Sequence, residues 1–195
     1  MWKYSRTLMD HFMNPRNSGQ LPDPDGHSEV GSPQCGDAMT LDIKVDDRDR
    51  ISDIRFMTFG CAGAIASSSA LTELARGKTL REALDISNEQ IVQFLGGMPE
   101  EKYHCSVMGH EALAGAVADF MRKRERIGSH LKKLIEHPPA RLNSALDGCK
   151  PRVLHVHPSI VKIALPRNAD GSAAGILREE LSRLAGREVE VEVTG

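Results

Sequence analysis

Aromatic residues are scarce: Phe, Trp and Tyr make up 4% of the 195 residues. The core must therefore be built from Leu, Ile, Val, Met and Ala. No C-x-x-C pair occurs among the four cysteines, Cys35, Cys61, Cys105 and Cys149, so the most diagnostic metal-binding spacing is missing. No charge sign dominates, with 25 Lys and Arg against 27 Asp and Glu. A net charge of −2 gives no electrostatic reason to expect nucleic acid or a membrane surface as partner. No apolar run is long enough to span a bilayer, and no basic segment followed by an apolar one marks a secretory signal. The expected compartment is the cytoplasm, where a disulfide framework is not expected and metal binding or thiol chemistry is. What is present is ordinary for a soluble globular chain, 40% hydrophobic and 27% charged. The length suits one domain with a small appendage.

The chain is organised around Phe59-Gly60-Cys61-Ala62-Gly63-Ala64-Ile65-Ala66-Ser67-Ser68-Ser69-Ala70. Strand-like residues end at Gly60 and small helix-compatible residues follow. Cys61 is thus expected at a strand-to-helix junction, where unpaired backbone N–H groups favour negative charge. Thiolate is the form that binds metal and attacks sulfur. A helix over Ala62 to Arg76, with Gly77 just past its end, is Ala- and Ser-rich and can be approached closely. The bland alternative is a small buried cysteine in a packed turn.

Before this stretch, Tyr4, Leu8 and Phe12 form one stripe of a short helix capped by Ser5 and ended by Asn14-Pro15. Asn17 to Gly31 reads as a surface loop. Gly36 allows a tight turn, and Cys35 and Asp37, two apart, share one side of an extended segment. Met39, Leu41, Ile43 and Val45 alternate with polar residues as a half-buried strand. After a charged turn, Ile51 to Phe59 pairs back as a hairpin, with Ile54 and Phe56 on one face. Thr79-Leu80-Arg81-Glu82 and Ser87-Asn88-Glu89-Gln90 fit capping boxes of two short helices, with Leu84, Ile86, Ile91 and Leu95 as apolar contacts.

A long helix is expected from Ser106 or Gly109, with Leu113, Val117, Phe120 and Met121 on one face. It runs to about Ile127 or, past an interruption at Gly128, to Glu136. Arg122, Lys123, Arg124 and Arg126 read as its solvated basic end. His137-Pro138-Pro139 is a boundary, and Arg141 to Leu146 a short helix closed by Gly148. From Pro151 the texture is ββαβ: alternation around Val153, His155 and His157, a β-prone Ile160 to Leu165, a helix over Ser172 to Ala185 and a strand over Val189 to Val193. His155 and His157 read as strand or surface histidines rather than metal ligands, and Cys149 as a bystander thiol.

Cys35 with Asp37, Cys61, and His104 with Cys105 all fall at loop or helix-start positions able to converge at one end of a sheet. Three thiolates with a carboxylate or imidazole complete a tetrahedral zinc site. The same set also suits a small iron–sulfur cluster with one weak ligand. A carboxylate in place of a fourth thiolate favours lability, which suits a protein that hands its cluster on.

Tyr4-Ser5, Asp10-His11-Phe12-Met13-Asn14-Pro15-Arg16-Asn17, Gly31-Ser32-Pro33-Gln34-Cys35-Gly36-Asp37, the Phe59–Ser69 stretch and His104-Cys105-Ser106-Val107-Met108-Gly109 closely resemble the NifU/IscU-type iron–sulfur cluster assembly scaffolds, collinearly over about residues 1–127. The intervals of 25 residues between Cys35 and Cys61 and 43 between Cys61 and Cys105 are similar to that family. The related zinc-dependent sulfurtransferases carry a longer insertion before the third cysteine. The resemblance implies an α+β fold, a small antiparallel sheet covered by helices. It implies Cys35, Cys61 and Cys105 as thiolate ligands of a transient [2Fe–2S] cluster, Asp37 as the residue that promotes exchange and His104 as an alternative ligand. Cys105 matches the first persulfide acceptor, and Lys102 a lysine in the loop near the site. Implied partners are a cysteine desulfurase, an electron donor such as ferredoxin, and apo iron–sulfur proteins.

Met98-Pro99-Glu100-Glu101-Lys102 only partly matches the Leu-Pro-Pro-x-Lys motif read by an Hsp70-type chaperone, which puts that partner in doubt. The further cysteine sets of full-length NifU proteins are missing. The expected organisation is a scaffold domain over 1–127, a helical linker over 128–150 and a small unit over 151–195. That unit weakly resembles the NifU C-terminal domain without its cysteines, and a homodimerisation or docking module explains it equally. Three functions follow: a scaffold rather than an enzyme, binding iron and, in the same site, zinc; a zinc-dependent sulfurtransferase; or a fold held by structural zinc.

Overall fold

The computed structural model describes residues 4–32, 36–148, 150–165, 167 and 169–194, apart from the side chains of residues 32, 104, 105 and 194. Cys35 and Cys149 therefore lie outside the described residues. The chain divides into two compact units, Met1–Asp119 and Phe120–Gly195.

The first unit opens with α1 (Arg6–Met13), whose N-cap Ser5 accepts a hydrogen bond from the Leu8 N–H. Its buried face is Leu8 and His11, and Phe12 is only half-buried. Three antiparallel strands follow in the order β1 (Gly26–Ser32), β2 (Asp37–Val45) and β3 (Ile51–Phe59). β2 buries Met39, Leu41, Ile43 and Val45, as its alternation requires, and β3 buries Ile51, Ile54 and Phe56. The strand β1 departs from expectation, because 17–31 reads as a loop. Its sequence, Gly-His-Ser-Glu-Val-Gly-Ser, has no apolar alternation. Its small residues serve another purpose: a Cβ at Gly26 would strike the Ala116 carbonyl, and one at Gly115 the Ser28 hydroxyl. Gly and Ser let a helix lie directly on this strand.

That helix is α5 (His104–Glu136), which begins in the first unit and ends in the second. Between sheet and α5 come α2 (Ala62–Ala75), α3 (Leu80–Leu84) and α4 (Asn88–Phe94). α2 buries ten of its fourteen residues, consistent with its small side chains. Both expected capping boxes are present, Thr79 with Glu82 and Ser87 with Gln90. α5 starts at His104 and passes through Gly128 without interruption. A helical glycine costs about 1 kcal/mol, and the burial of Ile127, Leu131 and Leu134 around it outweighs that. The basic run from Arg122 to Arg126 is consequently mid-helix rather than a helix end. Met121 is 48% exposed, because the buried stripe continues from Val117 through Phe120 to Ile127.

The second unit contains the rest of α5, α6 (Ala140–Ala145), β4 (Arg152–Val156), β5 (Ile160–Ala164), α7 (Ser172–Ala185) and β6 (Glu190–Thr194). β4 pairs antiparallel with β5, and β6 parallel with β5 through the α7 crossover. This is the expected ββαβ order. Residues expected as a linker contribute to its core: Leu131, Leu134, Leu142, Ala145 and Leu146 pack with Val161, Ile163, Leu177, Leu181 and Val191. No helix among the described residues is long and apolar enough to cross a membrane.

Candidate functional site

The register of the first sheet builds the site. Ala38 pairs with Phe59, so the position before it, Asp37, falls opposite Gly60 at the same end of the sheet. Ser32 pairs with Asp37 across the β1–β2 connection, which ends with Gly36 at φ +69°. Cys61 follows Gly60 as the N-cap of α2, with extended backbone and no side-chain capping bond. The expected strand-to-helix junction is therefore present. Cys61 is half-buried and not in a disulfide.

Asp37 is 6% exposed. Its Oδ2 is buried without a hydrogen-bond donor among the described residues. Its carboxyl lies against the backbone of Gly60: a Cβ built there would be 2.8 Å from Asp37 Cγ and 3.0 Å from Oδ1. A buried acceptor oxygen without a donor is costly unless a donor or cation meets it. Beside a thiol at a helix N-terminus, this donor chemistry fits a thiophilic cation such as iron or zinc.

Gly26 and Ser28 of β1 lie against Ala116 and Gly115 of α5, whose second residue is Cys105. Gly109 lets α5 pack on Leu71 of α2, where an added Cβ would sit 3.1 Å from the leucine methyl. The side chains of His104 and Cys105 and the whole of Cys35 are not described, so of the five expected ligands only Asp37 and Cys61 are seen in atomic detail. Lys102 ends a single 3-10 turn, Glu100–Lys102, directly before α5. His155 is a β4 residue, and His157, buried after it, bonds through Nδ1 to Ser159 Oγ at 2.8 Å and packs its ring on Phe120.

Two features were not anticipated. The outer face of the sheet carries an open groove of about 640 Å³, with Glu29, Ala38, Thr40, Met57 and Phe59 among its walls. Phe59 is 82% exposed there. The signal was available, since Met57 and Phe59 are the large apolar residues on the face of β3 opposite Ile54 and Phe56. The second is a set of buried acids that fix the loop ahead of β1. Asp42 Oδ2 accepts from the Leu21 N–H, and its Oδ1 lies 2.6 Å from His27 Nδ1. Asp25 Oδ2 accepts from the Val45 N–H. The hydrogen bond to Asp42 holds the His27 imidazole above its ordinary pKa of 6.5. Spacing alone cannot separate such structural carboxylates from Asp37; satisfaction of their oxygens does.

The family model described as the NifU-like N terminal domain matches residues 3–127. The iron-sulfur cluster assembly scaffold protein IscU 1 of Archaeoglobus fulgidus is 52% identical over 124 residues, 64% of this chain and 80% of that protein. The IscU of Aquifex aeolicus is 46% identical over 127 residues, 65% of this chain and 81% of that protein. The nitrogen fixation protein NifU of Azotobacter chroococcum is 48% identical over 136 residues, 69% of this chain and 44% of that protein. The fold is similar to a crystal structure of a scaffold-type SUF-system protein from Fervidobacterium islandicum, with a TM-score of 0.50 and 25% identity over 58% of this chain and 96% of that one.

Proposed function

Given that the chain belongs to the NifU-like N-terminal domain family, we propose that it is an iron–sulfur cluster assembly scaffold, with residues 1–127 as the assembling domain. The cargo is a [2Fe–2S] cluster, held by Cys35, Cys61 and Cys105 with Asp37 as fourth ligand and His104 as its alternative. The observation that carries this reading is the buried Asp37 Oδ2, without a donor among the described residues, on a carboxyl that lies against Gly60. A carboxylate is a harder and weaker partner for iron than a thiolate, so a cluster it completes is held less tightly.

Sulfur arrives as the persulfide of a cysteine desulfurase. The Cys105 thiolate attacks the outer sulfur; the desulfurase S–S bond breaks, its cysteine leaves as thiolate, and a new S–S bond forms on Cys105. Converting two such sulfane sulfurs to two sulfides takes four electrons. Two come from oxidation of two Fe²⁺ to Fe³⁺, and two from an external donor of the ferredoxin class. Lys102, in the turn ahead of Cys105, supplies a positive charge near the incoming persulfide. The completed cluster passes to the thiolates of an apo-protein, and Asp37 is the ligand that yields first. Zinc binds the same residues when iron and sulfur are absent.

The test is anaerobic incubation of the chain with Fe²⁺, cysteine and a cysteine desulfurase, followed by visible absorption and Mössbauer spectroscopy. A [2Fe–2S] signature that is lost in the Cys35, Cys61 and Cys105 variants and transferable to apo-ferredoxin is expected. Asp37→Ala should prolong the lifetime of the cluster. A chain that forms no cluster but accelerates the desulfurase only with zinc bound would replace this reading with sulfurtransferase activity.

A further inference from the structure

We propose that Gly60 is a positioning residue for Asp37: the space of its missing side chain is where the Asp37 carboxyl rests. This deepens the scaffold reading and rests on it. Gly60 is not among the glycines with positive φ, so its backbone conformation does not itself call for glycine. Its neighbours do. A Cβ at this position would meet Asp37 Cγ at 2.8 Å, Asp37 Oδ1 at 3.0 Å and Ala64 Cβ at 3.0 Å. Real Cβ atoms do not approach carbon at such distances without something moving.

The surroundings decide what moves. Ala64 Cβ is fixed to the backbone of α2, in its first turn. The Asp37 backbone is fixed by its pairing with Ser32 and by the Ala38–Phe59 pair beside it. Only the Asp37 carboxyl can yield, by rotating about its own side-chain bonds. Its Oδ2 has no donor among the described residues. A methyl group at position 60 therefore expels the carboxyl from the junction that carries Cys61. Glycine at 60 holds the weak ligand next to a strong one, and the residue before the thiol sets the lability of the site without touching the cluster.

The test uses the full chain as Gly60→Ala, Asp37→Ala and the double variant. The first readout is thermal unfolding of the metal-free proteins. Gly60→Ala is expected to lower Tm by several degrees, and by less than half as much in the Asp37→Ala background, where the clashing carboxyl is gone. The second readout is the visible spectrum of bound Co²⁺, which reports the ligand set. Gly60→Ala should reproduce the Asp37→Ala spectrum, and the double variant should add nothing. The third is cluster lifetime after anaerobic reconstitution, expected to be the same in all three variants and longer than in the natural chain. If Gly60→Ala does not fold but the double variant does, the steric coupling is demonstrated directly. Additive Tm losses, or failure of both to fold, would overturn the positioning role. So would a Co²⁺ spectrum in Gly60→Ala that matches the natural chain while Asp37→Ala differs. A natural chain that forms no cluster would refute the scaffold reading alone, since the unfolding comparison decides the role of Gly60 without a cluster.

Discussion

His11 is 2% exposed on α1, and replacing it tests how the first helix is fastened. Its Nδ1 lies 2.8 Å from Ser69 Oγ, which also accepts the Arg16 N–H at 2.8 Å. The Glu73 carboxylate, 3.5 Å from Nε2, can only accept, which puts the proton of the neutral ring on Nε2 and leaves Nδ1 to accept from the serine hydroxyl. The ring also meets Phe94 edge-on, centroids 5.6 Å apart. Truncation by His11→Ala removes one buried hydrogen bond, about 1 kcal/mol. It also removes an aromatic edge contact, about 0.5–1 kcal/mol, and leaves a hole costing about 1–1.5 kcal/mol. The sum is about 3 kcal/mol, a large part of the stability of a domain. His11→Phe keeps the volume and the edge contact and should cost about half of that. Burial pushes the imidazole below its ordinary pKa of 6.5, reinforced by Arg16 and opposed by Glu73 and Asp10. Between the lowered folded pKa and 6.5 the unfolded chain binds more protons, so stability rises with pH in that window. This contribution is complete above pH 6.5 and lost as pH falls through the folded value. Urea unfolding followed by circular dichroism, across about pH 5 to 8, reads both effects. A His11→Phe variant that keeps the natural slope below pH 6.5, or a His11→Ala loss under about 1 kcal/mol, would refute the buried-neutral assignment.

His27 should act with the opposite sign. The hydrogen bond to Asp42 raises its folded pKa, so its contribution is full below pH 6.5 and lost as pH rises through the folded value; Asp42→Asn should flatten that loss in the same unfolding series. Helix glycines should respond according to their surroundings. Nothing lies within 4 Å of a Cβ at Gly175 in α7, so Gly175→Ala should stabilise by up to about 1 kcal/mol, raising Tm. Gly115→Ala, whose Cβ would meet the Ser28 side chain, should lower it despite the same gain in helix propensity. Thr79→Ala breaks a complete capping box and should cost about 1 kcal/mol by chemical denaturation.

Much of this fold is written in local chemistry. Alternation in β2, the paired capping boxes and the Asn14–Pro15 stop each follow from one stretch of chain, and each is where the spacing puts it. The strand β1 was illegible for the same reason: its Gly26 and Ser28 are chosen by the close approach of α5, some 90 positions further along, rather than by any alternation of their own. The continuation of α5 through Gly128 likewise depends on partners. Ile127, Leu131 and Leu134 are buried by β5 and α7, and no window around Gly128 contains those elements.

The candidate site divides along the same line. Residue type and position name Asp37 and Cys61, and the register of β2 and β3 then brings them to one end of the sheet. Position does not reveal which carboxylates are available. Asp25, Asp37 and Asp42 are all buried in the first unit, and Asp25 and Asp42 use their oxygens on backbone N–H groups of Val45 and Leu21. Those two fasten the chain, whereas Asp37 Oδ2 is buried with no donor among the described residues. In the role proposed for Gly60, the Asp37 carboxyl is seated in the space that a side chain at position 60 would fill.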